Sequence, residues 1–350
     1  MAEVRAGPAP YIYVCTRMRV RKSKLLPKEE YLRMLNMSLP EITRSIEELE
    51  YKREIDELGA SFHGIDLLEI ALSWNLAKEY QAIIAITPGT LKAFTQAYLR
   101  RWDIQNILTI LRGKRQGLKV GKIKEVLIPA GELDRVFLDR LLIEDSPERI
   151  VEALKGKKLY PVVAKEFHAA VQSNSFSHME NELYKDFYRN LITDANVMKG
   201  GNLFLKYISL DIDITNIRNL FRLRVDTILE DAREMMIPGG TFSVEELHRL
   251  NGITDQNEFI DALMAKVRVK TLLAVLDKLR GEKPIREIEI DLIKVQIEQM
   301  EKMAKLNPFS IHPILVYLEK KKYEVFNLRA IARGRESRLS TDRIKGYLVM

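Results

Sequence analysis

Tyr98 to Lys114 reads YLRRWDIQNILTILRGK, and the chain restates this stretch twice. Aligning Asn106 with later asparagines gives ITNIRNLFRLR around Asn216 and VFNLRAIARGR around Asn327, so the copies lie about 110 residues apart, a domain-sized period. An acid stands three positions before each asparagine (Asp103, Asp213, Glu324), and a β-branched residue two before it (Ile104, Ile214, Val325). An arginine stands six after it (Arg112, Arg222, Arg333). In the first copy Ile104, Ile107, Leu108 and Leu111 fall at i, i+3, i+4 and i+7, which is one stripe of a helix facing a core. Asp103 and Asn106 then share a flank of that stripe.

The 350 residues exceed one typical core, and the repeat divides them into three, each large enough to bury its own. At 46% hydrophobic and 30% charged residues, the composition is that of a soluble globular protein, not a disordered one. The longest apolar runs, such as Ile83–Ile86, fall far short of the roughly 20 residues needed to cross a bilayer, so any membrane role is expected to be peripheral. The apolar patch Tyr11–Val14 is too short for a signal peptide. Cys15 is the single cysteine, which excludes an internal disulfide and a cysteine-built zinc site and fits a reducing, cytoplasmic compartment. The net charge of +7 is unevenly placed. Arg17, Arg19, Arg21, Lys22 and Lys24 load one end of the chain, and Arg329, Arg333, Arg335, Arg338, Arg343 and Lys345 load the other. Such patches attract nucleic acid, anionic headgroups or an acidic protein, or simply form a solvated helical face.

After a proline-containing tail, Met1 to Pro10, punctuation recurs. Leu26-Pro27, Ile128-Pro129 and Ile237-Pro238 each precede a polar loop that leads to a helix start, at Pro40-Glu41, Ser146-Pro147-Glu148 and Asp255 through Glu258. The expected division is an N-terminal tail and basic segment over 1–26 and helical repeats over 27–126, 127–236 and 237–350. Helical periodicity runs through Gly64–Ile86, Tyr160–Val197, Val244–Leu250, Glu258–Leu279 and Ile288–Leu306, and few segments alternate with period two. The fold class is therefore all-α. Three equivalent units stack as a short solenoid or close around a pseudo-threefold axis; similarity between VRKSKLLP and GRESRLS at the chain's ends favours closure.

There is no GxxxxGK[ST] loop, no strand followed by GxGxxG, no HExxH pair and no GxSxG elbow, so the usual nucleotide, zinc and nucleophile-elbow signatures are absent and no catalytic, cofactor-binding or metal-ligating residue is singled out; spacing leaves open a triad assembled across distant segments. His178 and Glu182, one turn apart, are two ligands without a third. The repeated Asp-x-x-Asn pair has two readings: a hydrogen-bonded staple inside the bundle, or a flank turned to a common central space where a partner docks. On the second reading the candidate partner interface is Asp103, Asn106, Arg112, Asp213, Asn216, Arg222, Glu324, Asn327 and Arg333. The three arginines sit near a helix end, where the dipole also favours a cation.

These features, with RVRKSKLLPKEEYLRMLNMSLPEI, WNLAKEYQ, AYLRRWDIQNILTILRGK, EVLIPAGELD and VFNLRAIARGR, make the chain resemble the C subunits of archaeal A-type ATP synthases, the counterparts of the d subunits of V-type ATPases. The resemblance covers nearly the whole chain. A departure lies at Tyr13–Arg19, where Cys15 and Thr16 replace the Asn-Ala that tends to precede the first arginine. The resemblance implies a funnel of three similar helical domains, at the cytoplasmic face of the cell membrane, that sits on the proteolipid ring and receives the central axle. It also implies a non-catalytic rotor component transmitting torque for proton- or sodium-coupled ATP synthesis, with no cofactor and no nucleic acid. The isolated chain is expected to be a monomer. The alternative is an α-helical repeat scaffold that binds nucleic acid or another acidic partner through its basic ends.

Overall fold

The computed structural model describes residues 9–226, 232–280 and 284–350, so most of the proline-containing tail, residues 1–8, lies outside the described residues. The fold is all-α, with no strand among the described residues. The chain forms two compact units. Unit 1 comprises Met1–Lys24, Tyr188–Lys320 and Gly346–Met350, and unit 2 comprises Leu25–Phe187 and Lys321–Lys345.

In unit 2 the first repeat helix spans Arg101–Arg115, set off from the helix Gly89–Leu99 by Arg100. Its stripe Ile104, Ile107, Leu108 and Leu111 is buried, as the spacing predicts. Each such side chain contributes about 1.5–3 kcal/mol through burial. Gly64–Ile86 is one helix with the predicted bounds. Ser38 and Glu41 form a capping box with Pro40 in the first turn, the Ser38 amide donating to Glu41 Oε2 at 2.7 Å. Ser146 Oγ accepts from the Arg149 amide at 3.3 Å to open Pro147–Ala153.

The run Tyr160–Val197 is two helices, Tyr160–Gln172 and Ser177–Val197. Asn174 adopts φ 57°, and the Ser175 amide returns to the Ala170 carbonyl, a left-handed cap that Ser-Asn-Ser supplies locally and that apolar periodicity does not register.

The first and third repeat helices end in one motif. The Leu118 amide donates to the Gly113 carbonyl at 2.9 Å with Gly117 at φ 66°, and the Leu339 amide donates to Gly334 at 2.8 Å with Arg338 at φ 53°. Gly113 lies against Ile123 and Gly334 against Ile344, each too close for a Cβ to fit unless the isoleucine moves.

In unit 1 the second repeat helix lies within Gly201–Asp226. Its Ile214, Ile217, Leu220 and Phe221 share a core with Phe259, Leu292 and Val295. The rings of Phe221 and Phe259 meet edge to face at 5.5 Å. Asp255 accepts from the Glu258 amide at 2.8 Å and opens Gln256–Met264, the third of the helix starts expected after the repeat punctuation. The run Glu258–Leu279 breaks into Gln256–Met264 and Lys270–Asp277, separated by Ala265–Val269. The third repeat helix, His312–Glu336, is buried on every side from His312 to Glu319; the unit boundary falls after Lys320, inside this helix. Cys15 is fully buried beside Val14 and Met18, its thiol donating to the Ser310 carbonyl at 3.5 Å, and burial pushes it up to about 11. Thr16 is exposed.

Candidate functional site

In the first two copies the repeated acid and asparagine sit where the repeat helix faces the turn that follows it. Asn106 grips one residue of that turn from both sides. Its Nδ2 donates to the Ile128 carbonyl at 2.7 Å, and its Oδ1 accepts from the Ile128 amide at 2.9 Å. An asparagine amide carries acceptor and donors side by side and so matches one backbone residue as a strand neighbour would. Asn216 does the same to Ile237, with both distances at 2.8 Å.

The acid takes two consecutive amides farther along the same turn. Asp103 accepts from Glu132 and Leu133, each at 2.9 Å, and Asp213 accepts from Thr241 at 2.7 Å and from Phe242 at 3.4 Å. In both copies the turn reads Ile-Pro-x-Gly, and a Cβ on Gly131 or Gly240 would lie 2.2 Å from the Asp103 or Asp213 Oδ1. Glycine is required because the carboxylate occupies that space. Burial pushes the Asp103 carboxyl up to about 7, against the two amide donors that favour its charged form. The Asp213 carboxyl is raised for the same reason.

The third copy meets the segment Leu26-Pro27, and its chemistry differs. Glu324 Oε2 accepts from the Leu26 amide at 2.7 Å. Its Oε1 accepts from the Tyr51 hydroxyl at 2.6 Å and from Lys321 Nζ at 2.7 Å. Lys321 also donates to Tyr51 at 2.9 Å and lies over its ring. Asn327 hydrogen-bonds the Tyr31 hydroxyl, and burial, then the Glu324 charge, raises that phenol's pKa. All six acids and asparagines are buried and engaged within the chain.

The repeat arginines are more open. Arg112 pairs with Glu180 and Arg222 with Glu289, each at 2.6 Å, and Arg333 holds Glu69 through both Nε and a terminal nitrogen. Each glutamate lies in the first two turns of another long helix, Ser177–Val197, Ile285–Leu306 or Gly64–Ile86. Such partly exposed pairs contribute about 0–1 kcal/mol and set register more than stability.

Charge of the two basic ends is partly engaged inside the chain. Arg19 donates to the Pro308 carbonyl, Lys22 pairs with Glu301, and Arg335 donates to the Met37 carbonyl. His178 lies 3.4 Å from Glu166, and no group of three metal-ligating side chains occurs among the described residues. No described helix is long and apolar enough to cross a membrane. A cavity of about 700 Å³ adjoins the first turn, walled by Pro129, Glu132, Trp74, Lys78, Lys124 and Arg135. Its lysines are paired, Lys78 with Glu54 and Glu57 and Lys124 with Asp139.

Gly131, Gly240, Tyr31, Tyr51 and Lys321 complete the three latches and were not singled out by the repeat alignment. The glycines had a visible signal, Ile-Pro-x-Gly in two of the three turns. The tyrosines and Lys321 had none, because they pair across more than 250 positions in sequence or sit outside the recurring pattern.

The profile of the ATP synthase (C/AC39) subunit family matches residues 14–347. The chain is 38% identical to the A-type ATP synthase C subunit of Methanosarcina acetivorans, over 99% of this chain and 94% of the relative. It is 36% identical to that of Archaeoglobus fulgidus, over 99% and 98%. To that of Halobacterium salinarum it is 32% identical, over 99% of both.

Proposed function

Because the chain belongs to the ATP synthase (C/AC39) subunit family, we propose that it is the non-catalytic rotor component that links the central axle of an A-type ATP synthase to the membrane proteolipid ring. It transmits torque for proton- or sodium-coupled ATP synthesis, as a peripheral protein on the cytoplasmic face, and is a monomer when isolated. On this reading its three helical repeats, 27–126, 127–236 and 237–350, form a funnel that receives the axle. The observation that supports it is the buried polar latch carried by each repeat helix. A part that bears torque must resist shear between a helix and the segment it holds, and directional hydrogen bonds do that better than apolar packing, which slides.

The candidate partner interface then divides by depth. Asp103, Asn106, Asp213, Asn216, Glu324 and Asn327 hold the repeat helices from beneath, and Arg112, Arg222 and Arg333 stand at the edge open to a partner. The experiment is capture of the proteolipid ring and the axle subunits by the full chain. Retention of both is expected, and a chain that captures neither is not a rotor link. Asn→Ala changes at 106 and 216 should each lower stability by about 1–3 kcal/mol, from two buried bonds left unmade. Axle affinity per folded molecule should change little. Lost affinity without lost stability would make these residues direct contacts. The isolated chain is expected to turn over no ATP.

A further inference from the structure

Exposed apolar side chains gather at one place in unit 1. Of the twelve large hydrophobics that stand open among the described residues, Ile12, Tyr13, Val20, Leu306 and Phe309 fall on the helix Ala9–Ser23 and on the short segment against which it packs. The helix turns Val14, Cys15 and Met18 inward, so Tyr13, Arg17 and Val20, at i, i+4 and i+7, form a stripe on its outer side. Two contacts join it to the segment. Cys15 Sγ meets the Ser310 carbonyl, and Arg19 donates to the Pro308 carbonyl at 3.2 Å with its guanidinium 5.6 Å from the Phe309 ring.

This surface is cationic. The helix Ala9–Ser23 contains no aspartate or glutamate. Arg17 lies 5.9 Å from the Tyr13 ring, Arg19 meets a carbonyl and a ring, and the exposed Lys305 stands beside Leu306; none of the three forms an ion pair among the described residues. The acids of the adjoining helix are already engaged, Glu298 with Lys302 and Glu301 with Lys22 and Lys320. Three uncompensated cations around an apolar patch draw an anionic surface. The exposures decide between a lipid and a folded partner. Leu306 is 81% and Tyr13 57% exposed, so both protrude instead of lining a pocket. A protein hot spot seats its anchors in walled pockets, whereas a fluid headgroup layer closes around side chains that project singly. Arginine beside aromatic rings suits that boundary, where charge meets phosphate and the ring meets the edge of the acyl region.

We propose that the helix Ala9–Ser23 and the segment Leu306–Phe309 bind the anionic phospholipid surface directly, with lipid phosphates on Arg17, Arg19 and Lys305 and with Tyr13, Val20, Leu306 and Phe309 entering the headgroup layer. This rests on the peripheral placement proposed above and adds a lipid contact to attachment through the proteolipid ring.

The test sediments the full chain with vesicles of equal parts phosphatidylglycerol and phosphatidylcholine, and with phosphatidylcholine alone. Proteolipid-ring capture, axle capture and thermal unfolding are followed in the same preparations. Binding to the anionic vesicles should exceed binding to the neutral ones by about tenfold or more, and should fall as salt is added. Arg17→Gln combined with Lys305→Gln should weaken it about ten- to thirtyfold, roughly fivefold for each charge. Tyr13→Ser and Leu306→Ser should each weaken it about three- to tenfold. Melting should stay unchanged, because the side chains removed lie mostly in solvent. Ile143→Ser removes a side chain 73% exposed in unit 2 and should leave vesicle binding unaffected. If the parent chain ignores the anionic vesicles, or binds them and every variant binds as it does, the proposal is overturned while the rotor reading, judged by ring and axle capture, stands. If the variants keep vesicle binding but lose ring capture, the surface docks the proteolipid ring and the proposal is overturned. If the parent chain captures neither ring nor axle while vesicle binding responds as expected, the rotor reading fails and the lipid contact stands.

Discussion

The first and third repeat helices carry an acid, an asparagine and an arginine at the same spacing, but bury the acid by different means. Asp103 has a short side chain, so the turn must approach it, and Gly131 allows that approach because a Cβ there would strike the carboxylate. Its bound donors are backbone amides, and burial raises its carboxyl to about 7. Glu324 is one methylene longer. It reaches the Leu26 amide, the Tyr51 hydroxyl and the Lys321 ammonium, and the residue matching Gly131 in that turn, Glu29, is exposed. One methylene therefore exchanges a constraint on the backbone for a dependence on a cation. Like spacing in sequence does not ensure like electrostatics.

That contrast is sharpest when the cation is removed. Lys321→Met should destabilise the chain by about 3–5 kcal/mol, because it leaves the Glu324 carboxylate buried without its counter-charge. Adding Glu324→Gln should recover part of the loss, and denaturant midpoints for both variants decide it. Next in size is the glycine. Gly131→Ala should cost about 2–3 kcal/mol as the Asp103 carboxylate leaves its two amides, whereas Glu29→Ala at the matching place should stay within about 0.5 kcal/mol. Equal midpoints for the two would remove the distinction between the latches.

The pH response separates them again. The native Asp103 pKa of about 7 lies above its ordinary 3.8, so between these values the folded chain binds the extra proton. The stability gained is full below pH 3.8 and is lost as pH rises through 7. The melting advantage of the parent chain over Asp103→Asn should therefore shrink from pH 5 to pH 8, by about 1–3 kcal/mol. A flat difference would place the carboxylate in its charged form throughout. The smallest expected effect lies at the helix ends. Arg338 holds the left-handed conformation that Gly117 holds in the first copy, so Arg338→Gly should raise stability by about 0.5–1 kcal/mol, visible as a small rise in melting temperature.

The all-α fold was legible in the sequence because helical periodicity is a local property. The buried stripe of Arg101–Arg115, the bounds of Gly64–Ile86 and the three capped helix starts all follow from residues within a few turns of one another. Where a polar cap overrode the periodicity, as at Asn174, the predicted helix Tyr160–Val197 came apart. The candidate site was half legible. The recurring acid, asparagine and arginine marked which positions matter, and the Leu26, Ile128 and Ile237 punctuation marked the segments they grip.

Sequence alone determined that the chain is helical, repeats itself at a domain-sized interval and carries a polar pair on each repeat helix. These depend on spacing along the chain, where side-chain direction is set by the helix turn. Only tertiary structure decided that each pair is buried and hydrogen-bonded within the chain, that Asp103 meets two backbone amides while Glu324 also meets Lys321, and that Phe326 lies open where Gln105 is half-buried. Those outcomes depend on which distant residue fills the space beside a side chain. Tyr51 lies 273 positions from Glu324, and Tyr184 lies 79 from Gln105. Burial and pairing at such separations are fixed by packing, which no local pattern encodes.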